Sequence, residues 1–167
     1  MPSGSSNYRG ATSTFTIEGN DFMKDGAAFR ILSGSVHYWR SHPEDWKDRL
    51  QLAKQMGVNT ITFYVGWWLH EPEDGTFDFT SPDRDVVEFV RTIHEVGLLA
   101  ICRVGPYITA EVDFGGFPWF LANKNLTIRS SDPAYLTYVD RYFAKMVPLL
   151  APFEYAFQST TDLPIQN

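Results

Sequence analysis

The chain has 167 residues, 44% of them hydrophobic and 16% aromatic, which is enough apolar material for one core and too much for a disordered segment. Its net charge is −6 and its 14 Lys and Arg are scattered, so no basic stripe exists for nucleic acid and none is expected as a partner. A lone cysteine excludes a disulfide framework or a thiolate zinc site, and no apolar run reaches transmembrane length, which argues against a membrane partner.

Residues 1–13 are rich in Ser, Gly and Thr and lack an apolar segment. They read as a flexible leader and not as a secretory signal, which points to the cytoplasm. From residue 14 to residue 167 the pattern is that of a folded domain. Phe15-Thr16-Ile17 and Phe22-Met23 flank the turn pair Gly19-Asn20, and Lys24-Asp25-Gly26 makes a second turn before Phe29 to Leu32, which predicts a short β-hairpin. A first strand then runs through Ser33-Gly34-Ser35-Val36 to His37-Tyr38-Trp39-Arg40. Pro43, with Glu44 and Asp45 behind it, opens a helix whose apolar positions Trp46, Leu50, Ala53 and Met56 recur at helical spacing until Gly57.

The same unit repeats twice. Val58 to Val65 is rich in β-branched and aromatic residues and predicts a strand, followed by Trp67-Trp68-Leu69-His70-Glu71-Pro72 and a loop with Asp74-Gly75. A helix over Asp83 to Val96 places Val86, Phe89, Val90 and Ile93 on one face before Gly97. The strand Leu98 to Val104 leads into Gly105 to Leu121, where one acid, Glu111, stands among Gly, Pro and aromatic residues. A last helix spans about Asp132 to Leu149, capped by Ser130, Ser131 or Asp132 with Pro133 in its first turn. Cys102, inside the third strand, reads as a small buried hydrophobe, and Asn125-Leu126-Thr127 is a glycosylation sequon.

Successive strand-helix units predict an α/β fold with a parallel sheet and right-handed crossovers. The polar and aromatic residues fall just after each strand: His37 and Tyr38, then Trp67, His70 and Glu71, then Tyr107 and Glu111. Such clustering at strand carboxyl ends is that of a (β/α)8 barrel, and no G-x-G-x-x-G or P-loop follows the first strand. A full TIM barrel takes roughly 250 residues. The chain therefore supplies the first three to four β/α units, with a fourth strand expected at Leu163 to Asn167.

Tyr38, Trp67, Trp68, Trp119 and Glu111 could line a sugar site, since rings stack on the C–H faces of sugars and a carboxylate takes their hydroxyls. The same aromatic residues could equally pack between barrel and helices, and His70-Glu71-Pro72 could be a hydrogen-bonded corner. A metal-dependent hydrolase built on His37, His70, Glu71 and Glu111 is a weaker reading, because Ser35 stands where a second histidine of the first strand would be needed. No metal and no cofactor are expected. A non-catalytic glycan-binding or regulatory fragment is a third reading.

The motifs Gly34-Ser35-Val36-His37-Tyr38-Trp39-Arg40, Trp46-Lys47-Asp48-Arg49-Leu50, Tyr64-Val65-Gly66-Trp67 with His70-Glu71-Pro72, and Gly105-Pro106-Tyr107-Ile108-Thr109-Ala110-Glu111 with Gly115-Gly116-Phe117-Pro118 occur in this order. Together they closely resemble the start of the catalytic barrel of the glycoside hydrolase family 35 β-galactosidases, over about Phe15 to Leu150. The resemblance implies a retaining hydrolase of terminal β-linked galactose that uses two glutamates, an acid/base and a nucleophile, with a β-galactoside as the molecule bound. It implies that Glu111 binds galactose hydroxyls, that Tyr38 lines the same subsite, and that Thr109 and Ala110 neighbour the sugar. Neither Glu71 nor Glu111 then breaks the bond. The family's acid/base sits in an Asn-Glu pair at the end of the fourth strand. Asn167 falls where that Asn stands, so no catalytic residue is expected in this chain and the fragment is expected to be inactive. Two departures are visible: Trp67-Trp68-Leu69 replaces a tripeptide that carries Asn, and Phe153 to Leu163 lacks a Gly-Gly-Pro. Many members of the family are secreted or lysosomal, which stands against the cytoplasmic expectation.

Overall fold

The computed structural model describes residues 13–155. It divides into two compact units: one takes in Ile31–Val147, the other the described residues up to Arg30 together with those from Pro148 on.

In the smaller unit β1 (Phe15–Glu18), β2 (Asp21–Lys24) and β3 (Ala27–Ala28) form an antiparallel meander, with Phe15 opposite Lys24 and Met23 opposite Ala28. The expected hairpin is thus present, and Phe15 gathers Phe22 at 5.7 Å and Phe29 at 6.1 Å. The turn residue Asp25 accepts hydrogen bonds from Tyr155, the Thr14 amide and Lys24, which together hold its carboxyl down at about 2.

The larger unit is built on a parallel sheet in the order β4 (Ser33–Ser35), β5 (Thr60–Tyr64), β6 (Leu99–Arg103). Ser35 pairs with Thr62, Thr62 with Ile101, and Tyr64 with Arg103, so these residues share one face. The connections run through α1 (Trp46–Gln55) and α3 (Val86–Glu95), and α2 (Trp67–His70) is a single turn directly after β5. α4 (Pro133–Leu150) follows, with Asp132 accepting from the Ala134 amide at 3.0 Å as its cap and Pro148 in its last turn.

Alternation along β5 separates the two faces of the sheet. Ile61 and Phe63 are fully buried, whereas Thr62 and Tyr64 are half-buried. On the buried side Phe89 of α3 meets Phe63 and Trp46 at 5.3 Å each, edge to face, and Leu50 and Ile93 complete the core. Cys102, paired in register with Phe63, lies on this side, and burial pushes its thiol up to about 12. The residue is half-buried, short of the full burial its apolar neighbours in the sequence suggested.

Three expectations need adjusting. The first strand stops at Ser35, and Tyr38–Arg40 form a 3₁₀ turn; among the described residues β4 pairs with β5 alone. The helices after Pro43 and Pro82 begin with short 3₁₀ turns, so the regular α-helix starts at Trp46 and Val86. Met56, placed by spacing on the buried face of α1, is 78% exposed. It lies past the last turn, and with Leu52, Val36 and Val58 it lines an open groove of about 510 Å³ beside the unpaired edge of β4. The fourth strand expected at Leu163 to Asn167 lies outside the described residues. Among the described residues no helix is long and apolar enough to cross a membrane.

Candidate functional site

At the carboxyl end of β5 the one-turn helix α2 brings His70 and Glu71 into the interior, both without solvent exposure. Buried polar groups need partners, and both have them. The Nδ1 of His70 lies 2.8 Å from the Asp78 carbonyl, which can only accept, so Nδ1 carries the proton. Nε2 is then an acceptor and takes the Tyr38 hydroxyl proton at 2.5 Å. Burial, only partly offset by the Asp78 carbonyl, lowers the His70 pKa to about 4, and burial likewise raises that of Tyr38 far above its ordinary value. Glu71 is satisfied at both oxygens: Trp67 Nε1 donates to Oε2 at 2.6 Å, and the Gly75 amide donates to Oε1 at 2.8 Å, where Arg141 of α4 also binds. Arg141 reaches on to Asp74 at 2.7 Å, and Lys124 holds the other oxygen of that residue at 2.9 Å. His70-Glu71-Pro72 is therefore a hydrogen-bonded corner.

The opposite side of the sheet carries a ledge of polar and aromatic side chains that stays open. Ser33 and Thr62 exchange a hydrogen bond at 2.7 Å at its base. Above them Tyr64 and Arg103 are neighbours in register; Arg103 donates to the Tyr64 hydroxyl and covers its ring at 4.3 Å. His37 Nδ1 accepts the Tyr64 amide at 3.3 Å, and Trp39 Nε1 donates to the Tyr64 carbonyl at 3.2 Å. The His37 and Trp39 rings are parallel within 4° at 5.1 Å, and Trp68 meets Trp39 edge-on at 5.3 Å. Burial and the Arg40 charge lower the His37 pKa, in keeping with its acceptor role.

The loop after β6 closes on this ledge. The Ile108 amide donates to the Gly115 carbonyl at 2.8 Å, cinching residues 108–115 into a tight turn. The Tyr107 ring lies over Gly115, where a β-carbon would overlap it, and Gly115 itself has φ +63°, so glycine is required twice over. Glu111 has φ +47°, a left-handed conformation that a non-glycine residue adopts at a cost of about 1–3 kcal/mol. Its side chain is 88% exposed and its carboxylate lies 3.6 Å from Arg40, which also donates to the Ala110 carbonyl.

The structure therefore brings Thr109, Ala110 and Glu111 to the ledge side, with Ala110 buried and Thr109 and Glu111 exposed. Tyr38 is elsewhere. It points into the helix-facing core between Trp46, Phe63 and Phe89, and its hydroxyl is committed to His70. The physical reason is the alternation set by β4: Ser35, in register with Thr62, shares its face with His37 and Trp39, whereas Tyr38 falls on the helix-facing side with Gly34 and Ile61. Asn167 lies outside the described residues. Tyr64, Arg103, Trp39 and Arg40 reach the ledge without having been singled out as ligands; Arg103, the one charge inside the apolar run Leu98 to Val104, was the legible signal. The four residues of the metal reading are split, with His70 and Glu71 committed to internal partners, and among the described residues no three of His, Cys, Asp and Glu gather as a metal would require.

An open carboxylate beside stacked rings can accept hydroxyl protons from a sugar while the rings cover its apolar face. The model of a family described as Glycosyl hydrolases family 35 matches residues 21–160. The β-galactosidase of Mus musculus is 49% identical over 135 residues, 80% of this chain and 21% of that protein. β-Galactosidase 8 of Oryza sativa subsp. japonica is 46% identical over 148 residues, 87% of this chain and 22% of that one. The chain thus spans about a fifth of the length of the curated relatives it matches. Among solved structures, exo-β-1,4-mannosidase Op5Man5 from Opitutaceae bacterium strain TAV5 superposes on 78% of this chain and 24% of its own with a TM-score of 0.65, a likeness of fold at 23% identity. With a family model matched from residue 21 to residue 160, the chain belongs to glycosyl hydrolases family 35 and is classed among the glycoside hydrolases.

Proposed function

We propose that the complete protein hydrolyses terminal non-reducing β-D-galactose residues by a retaining two-glutamate mechanism, and that this chain forms the galactose-facing wall of its site. The observation that carries the reading is Glu111: an exposed carboxylate in a strained loop at the end of a parallel strand, beside stacked aromatic rings. Glu111 accepts galactose hydroxyls, the Thr109-Ala110 backbone lies beside them, and Tyr64 supplies the ring and hydroxyl first ascribed to Tyr38. Three parallel strands in sequence order, with β4 at the edge among the described residues, fit the first units of a (β/α)8 barrel.

The chain by itself does not hydrolyse the bond. A retaining mechanism needs two free carboxyl groups about 5 Å apart. Glu71 is committed to Trp67, Gly75 and Arg141, and Glu111 faces Arg40. The test is to assay this chain, and a polypeptide extended to the length of its relatives, on a chromogenic β-galactoside. Only the longer protein should hydrolyse it, and Glu111→Gln in that protein should lower kcat/KM roughly 10- to 100-fold. Hydrolysis by the short chain, or none by the long one, sinks the proposal. Galactose binding by a chain whose long form stays inactive would favour a glycan-binding protein.

A further inference from the structure

We propose that Arg40 is a positioning residue that holds Glu111 in place for its ligand, through a layered stack of His37, Trp39 and Arg40 standing on β5. The inference rests on the reading of Glu111 as a ligand-binding carboxylate, but the geometry that carries it is independent of any sugar. Arg40 makes three contacts at once. Its guanidinium lies 4.6 Å from the centre of the Trp39 ring, it donates to the Ala110 carbonyl, and it faces the Glu111 carboxylate at 3.6 Å. Trp39 is fixed in turn, by its indole N–H on the Tyr64 carbonyl at 3.2 Å, by the parallel His37 ring at 5.1 Å, and by Trp68 across its edge. His37 accepts the Tyr64 amide at 3.3 Å. The stack therefore ties the loop to β5, the central strand of the sheet.

The loop needs such a support. Glu111 and Phe114 both have positive φ, at +47° and +53°, and the hydrogen bonds within the turn other than Ile108 to Gly115 are long, at 3.5 Å for Val112 to Thr109 and 3.3 Å for Gly115 to Val112. A strained turn with weak internal bonds persists only when its surroundings over-determine it. Arg40 supplies that external constraint at the peptide joining Ala110 to Glu111. A planar guanidinium can lie flat on an indole while its edge donates to a carbonyl, whereas an ammonium on its flexible stem has no flat face and holds the two contacts less rigidly. Because its contact with Glu111 is an exposed ion pair, a ligand hydroxyl can share the carboxylate without having to break a strong bond.

The experiment compares wild type, Arg40→Ala and Arg40→Lys by amide hydrogen exchange and by titration with D-galactose followed in NMR spectra. In Arg40→Ala the Ile108, Gly115 and Phe117 amides should exchange about tenfold faster, while those of α3 stay unchanged; Arg40→Lys should restore only part of the protection, and added guanidinium ion should restore more of it to Arg40→Ala than to wild type. Galactose affinity should fall in step with the loss of protection. Unchanged exchange in Arg40→Ala, or a rise spread evenly over α1, α3 and the loop, overturns the proposal. If the loop loosens as stated while wild type shows no galactose binding, the positioning role stands and it is the galactose reading that fails.

Discussion

Two glutamates in one chain show opposite uses of the same carboxylate. Glu71 is buried, and each of its oxygens is taken by protein donors from Trp67, Gly75 and Arg141. Glu111 is exposed, sits on a strained backbone and faces one arginine across an open side. A charge removed from water is tolerated only when it is fully partnered, so complete pairing identifies a structural group. An acid that solvent could satisfy anywhere, yet held at a costly φ, is the one free to meet a ligand.

The sharpest way to break this comparison is to remove each carboxylate in turn. Glu71→Ala leaves the buried Trp67 N–H and the Gly75 amide without their acceptor, takes from Arg141 one of its two carboxylates, and should cost about 3 kcal/mol in urea unfolding. Glu111→Gln should change stability by less than about 0.5 kcal/mol while weakening galactose binding roughly 10- to 100-fold. Equal costs would mean that the two environments do not differ as described. The buried corner should also be the acid-sensitive part of the molecule. The folded pKa of His70, at about 4, lies below its ordinary 6.5, so the unfolded chain binds more protons between these values. Stability is accordingly complete above about pH 6.5 and declines as pH falls toward 4, by an amount of order 3 kcal/mol. Unfolding curves at pH 7 and pH 4.5 measure it, and His70→Gln should flatten the difference.

Smaller effects should come from the loop side. Gly115→Ala places a β-carbon against the Tyr107 ring at φ +63° and should cost about 1–3 kcal/mol, with the loss confined to exchange in the loop after β6. Tyr38→Phe removes a donor to His70 and should cost about 1–2 kcal/mol without touching galactose binding. A loss of binding in that variant would restore Tyr38 to the subsite.

The parallel units were legible because their signals are local. Pro43 and Asp132 mark helix starts, Gly57 and Gly97 mark ends, and β-branched runs mark β5 and β6. The loop carrying Glu111 was legible for a similar reason, since one acid among glycines and aromatic residues has few structural excuses. Less legible was the side on which a residue faces: the subsite role of Tyr38 came from the resemblance, whereas strand alternation from Gly34 turns Tyr38 toward the helices, and Tyr64, in register with Arg103, stands on the ledge. The part of Arg40 was equally hidden, because its partners, Ala110 and Glu111, lie 70 and 71 positions away in the chain.

The packing of Trp68 over Gly66 carries a consequence for how this sequence can change. The indole of Trp68 occupies the volume in which any side chain at position 66 would begin, so a β-carbon there would overlap it. Gly66 is fixed by its neighbour and not by its own backbone, whose φ of −86° every residue tolerates. A β-carbon at 66 therefore requires the Trp68 ring to move aside, so a change at either position alters what the other can accept.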